Sequence, residues 1–133
     1  MATFARFEDI QSWKLARSLT KEIYTITQNG RFAQDFGLRN QIRRACVSII
    51  SNIAEGFERD GDREFLQFLA IAKGSAGEVR AHLYVALDQH YIDEETFFSL
   101  KIRTEEISRS ISGLMKYLRN SSLRGTKYKK PQS

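Results

Sequence analysis

The single proline of this chain, Pro131, constrains the possible fold more than any other residue. Proline lacks a backbone donor and interrupts helices, so the 130 residues before it can form long, unbroken helices. Those residues are rich in Leu, Ala, Glu, Arg and Lys, a composition that favours helix. The total length of 133 residues is typical of one domain. The sequence therefore predicts a single all-α domain.

Apolar residues recur at spacings of three and four in four segments, which begin near residues 9, 35, 60 and 93. Asp9 and Asp93 are the expected N-caps of the first and last helices, and Asn29-Gly30 is expected to end the first. The connections are short, so neighbouring helices should be antiparallel. We expect an up-down-up-down four-helix bundle over residues 1–120, followed by a basic, disordered tail over residues 121–133.

The net charge of +5 is concentrated at the C-terminus. Residues 1–118 contain 16 basic and 16 acidic side chains, whereas residues 119–133 contain five basic side chains and no acidic one. Basic residues around an aromatic ring suit contact with phosphates and bases. The candidates for nucleic-acid binding are two arginines near the start of the second helix and three lysines of the tail: Arg39, Arg43, Lys127, Lys129 and Lys130. A solvated face and a solubilising tail are the alternative interpretation.

Ten consecutive residues of the second helix, 45–54, carry no charge. Projected at about 100° per residue, this helix has two apolar stripes on different sides. One stripe contains Ile42, Ala45, Ile49 and Ile53, and the other contains Val47, Ile50, Ala54 and Phe57. One stripe can face the bundle core. The second apolar stripe must be covered as well. It therefore predicts either an interface between subunits or a helix that is buried deep inside its own bundle.

A polar seam lies between the two stripes and continues onto the third helix. Its predicted members are Gln41, Arg44, Ser48, Asn52, Glu55, Ser75 and Glu78. Gly74 and Gly77 are poor helix formers, and their presence predicts close backbone packing beside the seam. We expect Arg44 to pair with Glu55 or Glu78, within one subunit or between two, because polar groups at an interface must find partners. Such groups fix register and oligomeric state.

No motif for catalysis, metal binding or a cofactor is present. The two histidines, His82 and His90, lack the spacing of a zinc site, and Cys46 is the only cysteine. The acidic cluster at residues 58–64 suits a helix start better than a cation site. We therefore expect no enzyme activity, no cofactor, no metal and no small-molecule substrate. Without a signal peptide or a membrane-spanning run, the expected location is the cytoplasm.

Three sequence runs carry a resemblance to a known family: QIRRA at 41–45, NIAEG at 52–56 and EFLQFLAIAKGSAGE at 64–78. Over residues 7–118 the chain closely resembles the bacterial four-helix bundle proteins encoded in intervening sequences of 23S ribosomal RNA genes. The resemblance implies a ring, a homopentamer, and kinship with the pentameric accessory protein of diversity-generating retroelements, which acts with a reverse transcriptase and nucleic acid. It implies no catalytic residues, and its motif residues coincide with the polar seam.

Two functions remain open from the sequence. The first is a non-catalytic homo-oligomer that binds structured RNA or another nucleic acid through basic surfaces. The alternative is a protein-interaction scaffold that binds no nucleic acid. The neutral balance of residues 1–118 favours the second, and the basic C-terminus favours the first.

Overall fold

The computed structural model describes residues 4–123, and for residues 122 and 123 it describes the backbone alone. This part of the chain forms five helices and no strand, which confirms the all-α prediction. After a 3-10 turn at Phe7–Asp9, the helices are α1 (Gln11–Ile26), α2 (Gly30–Gln34), α3 (Phe36–Glu58), α4 (Asp62–Asp88) and α5 (Glu94–Leu123).

The four long helices correspond to the four predicted segments. The sequence does not predict the five-residue helix α2. The chain bends at Gly30, where φ is +67°, and continues directly into this short helix. Helix α5 continues to Leu123, past residue 120, the predicted end of the domain. Residues 124–133 lie outside the described part, so the division into a domain and a tail stays a prediction.

Two aspartates cap the long helices that follow them. The Asp35 carboxylate accepts a hydrogen bond from the Leu38 amide at 3.1 Å, and Asp93 accepts one from the Thr96 amide at 2.8 Å. The hydrogen bond from Thr96 lowers the pKa of Asp93 below its ordinary value. The prediction that Asp9 caps the first helix is wrong. Asp9 belongs to the 3-10 turn, and Ile10, which has no capping side chain, precedes α1.

The turn between α4 and α5 is tied to the beginning of α3. His90 adopts a left-handed conformation with φ of 62°, and the Tyr91 amide donates to the Ala86 carbonyl at 2.9 Å. This closes α4 in a Schellman-type turn. The Tyr91 hydroxyl then donates to Asp35 at 2.9 Å, and its ring stacks on Phe32 at 5.3 Å. One aromatic residue therefore joins three segments at this end of the molecule.

Each long helix contributes one apolar stripe to a common core. Helix α3 packs against α1 and α4, and α5 packs against α4 and α1, so the molecule is a helical bundle. The first stripe predicted for the second helix is buried, since Ile42, Ile49 and Ile53 are each 0% exposed. The predicted stripe of the last helix is buried as well and contains Phe97, Leu100, Ile107, Ile111, Leu114, Met115 and Leu118.

The second apolar stripe of α3 is covered mostly within the chain. Phe57 is buried, Ile50 and Ala54 are half-buried, and Val47 is 40% exposed. The cover comes from within the subunit, since α3 contacts α2 and the 3-10 turn in addition to α1 and α4. Burial within the helix's own bundle therefore accounts for most of this stripe without a second subunit.

None of the helices within residues 4–123 combines the length and the apolarity needed to cross a membrane.

Candidate assembly seam and nucleic-acid surfaces

The centre of the polar seam is a hydrogen-bonded cluster between α3 and α4. The Ser48 and Ser75 hydroxyls lie 2.8 Å apart. The Asn52 side-chain amide donates to the Ser48 carbonyl at 2.8 Å and to the Ser48 hydroxyl at 3.0 Å. Ser75 is only 8% exposed, so this small polar group is removed from water and satisfied by its neighbours. The structure thus brings together three of the seven predicted seam residues.

The outer members of the seam, Gln41, Arg44, Glu55 and Glu78, are exposed. The Glu55 carboxylate pairs with Arg59 at 2.8 Å. The Glu78 carboxylate lies 3.3 Å from the His82 ring. The guanidinium of Arg44 has no ion pair with any residue from 4 to 123. The expected pairing of Arg44 with Glu55 or Glu78 is therefore absent within the described part of one subunit, and its pairing between subunits stays a prediction.

The surface of α4 beside the seam is open. A Cβ atom added at Gly74 or Gly77 would meet no atom of residues 4–123 within 4 Å, so this part of the chain does not supply the close packing predicted there. The neighbouring Ile71 is 53% exposed. A glycine without a neighbour allows the backbone of another helix to come close, and the branched aliphatic side chain beside it supplies apolar contact area.

The two arginines predicted to bind nucleic acid are engaged inside the fold. The Arg43 guanidinium donates to the Thr27 hydroxyl at 2.8 Å and lies 4.5 Å from the centre of the Tyr24 ring. Arg39 donates to the Ala33 carbonyl at 3.1 Å. These contacts fasten α3 to the end of α1 and to α2, so both guanidinium groups already have structural partners. The tail candidates Lys127, Lys129 and Lys130 lie outside the described residues and stay predictions.

A basic groove between α4 and α5 was not predicted. Its volume is about 490 Å³. It is lined by Lys73, Arg80, Glu105, Ser108, Arg109 and Ser112. The sequence composition does not reveal this groove, because the body contains equal numbers of acidic and basic residues. A net charge is summed over all faces of a molecule and does not report a local cluster. The available signal was the seven-residue spacing of Lys73 and Arg80, which places both on one side of α4.

Among residues 4–123, Glu105 supplies the only carboxylate that lines the basic groove, and this carboxylate is already paired. The Lys101 ammonium donates to it at 3.0 Å. This hydrogen bond, together with the charges of Lys101, Arg80 and Arg109, lowers the pKa of Glu105. Within residues 4–123, Lys73, Arg80 and Arg109 form no ion pair. The groove therefore presents three positive charges that its own acid does not neutralise.

Two side chains of types that are common in active sites, Cys46 and His90, occupy structural positions. Burial raises the pKa of the Cys46 thiol to about 12, although a hydrogen bond from Thr20 lowers it slightly. His90 serves the turn after α4. No cluster of three or more His, Cys, Asp or Glu side chains within residues 4–123 could hold a metal ion.

Comparison with solved structures finds a protein of unknown function from the S23 ribosomal protein family of Bacteroides thetaiotaomicron. The TM-score is 0.73, and the alignment covers 79% of this chain and 95% of that chain at 23% identity. At this identity the likeness concerns the fold alone. Among curated proteins, none matches this chain significantly.

The sequence profile of a family described as 23S rRNA-intervening sequence protein matches residues 8–113. This range includes the whole polar seam and both walls of the basic groove. Nothing in the family match or in the structural neighbour indicates catalysis. The match confirms the resemblance seen in the sequence runs at 41–45, 52–56 and 64–78, and the chain belongs to the family of 23S rRNA-intervening sequence proteins.

Proposed function

We propose that this protein is a non-catalytic bundle that assembles with copies of itself and binds structured RNA through basic surfaces. The observation that carries the RNA-binding part is the location of the positive charge. The charge excess lies in residues 119–133, beyond a body in which acids and bases balance. A short cationic segment attached to a neutral bundle suits contact with a polyanion. The family name, 23S rRNA-intervening sequence protein, supports RNA as that polyanion.

The proposed bundle runs up-down-up-down, with antiparallel neighbours. Ser48 contacts Ser75, whereas Gly56, later in α3, approaches Phe65, earlier in α4. Contacts that run in opposite directions along two helices support an antiparallel pair. The connections of three residues before α4 and five residues before α5 also support this arrangement.

The proposed assembly uses the α3–α4 side of the bundle. The hydrogen-bonded cluster of Ser48, Asn52 and Ser75 provides a polar centre there. Arg44 has no ionic partner within the described residues, and the exposed Ile71 provides apolar area. A second copy would offer Arg44 the carboxylates of Glu55 or Glu78 and would cover Ile71. We propose a ring of five copies, in accordance with the resemblance that the sequence carries.

The assembly is tested by the molar mass in solution of the Arg44→Met variant. The unmodified protein is expected near five times the 15.4 kDa of one chain, and Arg44→Met at a smaller mass. The matched control is Arg119→Met, which removes the same charge from an exposed site at the far end of α5. An Arg44→Met protein with unchanged mass and unchanged stability would contradict the proposed seam interface.

RNA binding is tested by titration with a structured ribosomal RNA fragment at about 50 and 200 mM salt, where phosphate-driven affinities differ strongly. The unmodified chain is expected to bind at the lower salt and to lose affinity steeply at the higher salt. A chain truncated after Leu123, which lacks four of the 21 basic residues, should bind more weakly. An absence of binding by the full chain at low salt would contradict the RNA-binding part.

One observation favours the alternative, a scaffold for other proteins without nucleic-acid binding. Arg39 and Arg43 are occupied by contacts within the fold. A correct oligomer mass combined with no RNA binding at low salt would support the scaffold.

A further inference from the structure

We infer that the basic groove between α4 and α5 is the ordered RNA site of this protein and that it holds phosphates of the RNA backbone. This inference rests on the proposed RNA-binding function and assigns to it a surface formed by Lys73, Arg80 and Arg109.

The first argument is the local charge. Glu105 is neutralised by Lys101 at 3.0 Å, which leaves three cations around the groove without an ion pair inside residues 4–123. Lys73 and Arg109 are exposed and Arg80 is half-buried. Holding like charges together costs free energy in the unbound protein, and an anionic ligand would remove that cost. The hydrogen bond from Lys101 is the main cause of the lowered pKa of Glu105, and the charges of Arg80 and Arg109 add to it, so both guanidinium groups lie close enough to attract an oxyanion in the groove.

The second argument is the geometry of the walls. Lys73 and Arg80 are seven residues apart on α4, which separates them by about 10 Å along the helix. Arg109 faces the same groove from α5, with the hydroxyls of Ser108 and Ser112 as further possible donors. Cations at that separation would contact different phosphates of one strand, and guanidinium groups can bind phosphate through two hydrogen bonds.

The chemistry of the lining favours a nucleic-acid backbone over another partner. The lining residues are all charged or hydroxyl-bearing, and none is aromatic or aliphatic. A protein interface or a lipid surface is usually built around aromatic or aliphatic residues, and among residues 4–123 no residue of those types lines the groove. The absence of an aromatic ring also removes base stacking, so we expect binding with little sequence preference.

The basic groove also remains accessible in the proposed assembly. At about 100° per residue, Lys73 and Arg80 lie roughly 150° around α4 from the seam residues Ser75 and Glu78. The core-facing stripe of α4, which contains Leu69, Ala76 and Leu83, lies between them. Subunits that join through the seam therefore leave the groove open to solvent.

The test uses the full chain and two triple variants of equal charge. The groove variant is Lys73→Gln with Arg80→Gln and Arg109→Gln. The matched control removes the three exposed cations that line a second cavity, beside Trp13 on α1, and is Lys14→Gln with Arg17→Gln and Lys21→Gln. The groove variant should bind a structured ribosomal RNA fragment at least ~10-fold more weakly, with a salt dependence shallower by about 2, because some three phosphate contacts are lost. The control should stay within about threefold of the unmodified chain.

A third variant is expected to raise the affinity for RNA instead of lowering it. Glu105→Gln removes the carboxylate of Glu105 from the groove and releases Lys101, so it should bind the same RNA more tightly than the unmodified chain. Circular dichroism shows whether each variant is folded. If the groove triple variant is unfolded, Glu105→Gln decides alone, and unchanged or weaker binding by it overturns the inference.

The outcomes separate the inference from the function on which it rests. If the unmodified chain does not bind RNA at low salt, the proposed function fails. If it binds, but the groove variant and the α1 control lose affinity equally, the groove inference is overturned and the function stands. If polyglutamate or anionic lipid vesicles compete as well as RNA at equal charge, the assignment of RNA as the ligand is overturned.

Discussion

Gly56 lies where α4 packs closely against α3, and its replacement by alanine should destabilise the protein. A Cβ atom at this position would lie 2.6 Å from the Phe68 Cβ and 3.0 Å from a ring carbon of Phe65. Ordinary carbon–carbon contacts lie near 3.5–4.0 Å. The Phe68 Cβ is bonded to the backbone of α4 and cannot rotate away, so the two helices must separate.

The expected magnitude follows from two opposing effects. Overpacking a core costs about 1–3 kcal/mol, and the rigid neighbour places Gly56→Ala toward the upper end. Replacing Gly by Ala inside a helix stabilises the helix by about 1 kcal/mol. The net loss should be about 2 kcal/mol, or a melting temperature lower by about 7 °C for a chain of this size.

Urea denaturation followed by helical circular dichroism measures this loss, at two protein concentrations so that assembly is separated from folding. The matched control is Gly113→Ala in α5, where an added Cβ meets no atom within 4 Å and should stabilise by about 1 kcal/mol. If both alanine variants are stabilised alike, the helix spacing described above is wrong.

Three further predictions concern single positions. His90→Gly should stabilise the protein by about 1 kcal/mol in thermal melts, because glycine adopts the left-handed conformation at φ of 62° without strain. Native Cys46 should react with iodoacetamide far more slowly than in urea, since burial raises its pKa to about 12; equal rates would contradict its burial. Asp93→Ala should lower the melting temperature at neutral pH. Because the folded pKa of Asp93 is lowered, its contribution should be complete above the unfolded pKa of about 4 and should be lost only as pH falls through the lower folded pKa. A difference that persists once the folded carboxyl is protonated would contradict capping by the carboxylate.

The long helices could be predicted because they follow local rules. Isoleucines at 42, 49 and 53 repeat at the helical period, and all three are fully buried. Asp93 precedes an acidic first turn and caps α5 as expected. Helix α2 could not be predicted, because five residues are too few to display a period. Asp9 looked like an equally good cap, but the chain forms a 3-10 turn there before α1 begins.

The functional surfaces were harder to predict, because they depend on which helices lie side by side. The helical period and the motif residues of the resemblance together predict one seam that contains Ser48 and Ser75, whose hydroxyls lie 2.8 Å apart. Arg43 looked available for a phosphate, but the end of α1 supplies the Thr27 hydroxyl and the Tyr24 ring that occupy it. The basic groove exists only because Arg80 on α4 and Arg109 on α5 are adjacent in space.

Both walls of the basic groove belong to the same chain. Each copy would therefore carry a complete site, and assembly would change the number of sites without altering the chemistry of any one of them. A short oligonucleotide that fills one groove should bind a dissociated subunit and an assembled ring with the same affinity. A long folded RNA should bind the ring much more tightly, because its second and later contacts form at a high effective concentration. Dilution that dissociates the ring would then lower the affinity for long RNA and leave the affinity for short RNA unchanged.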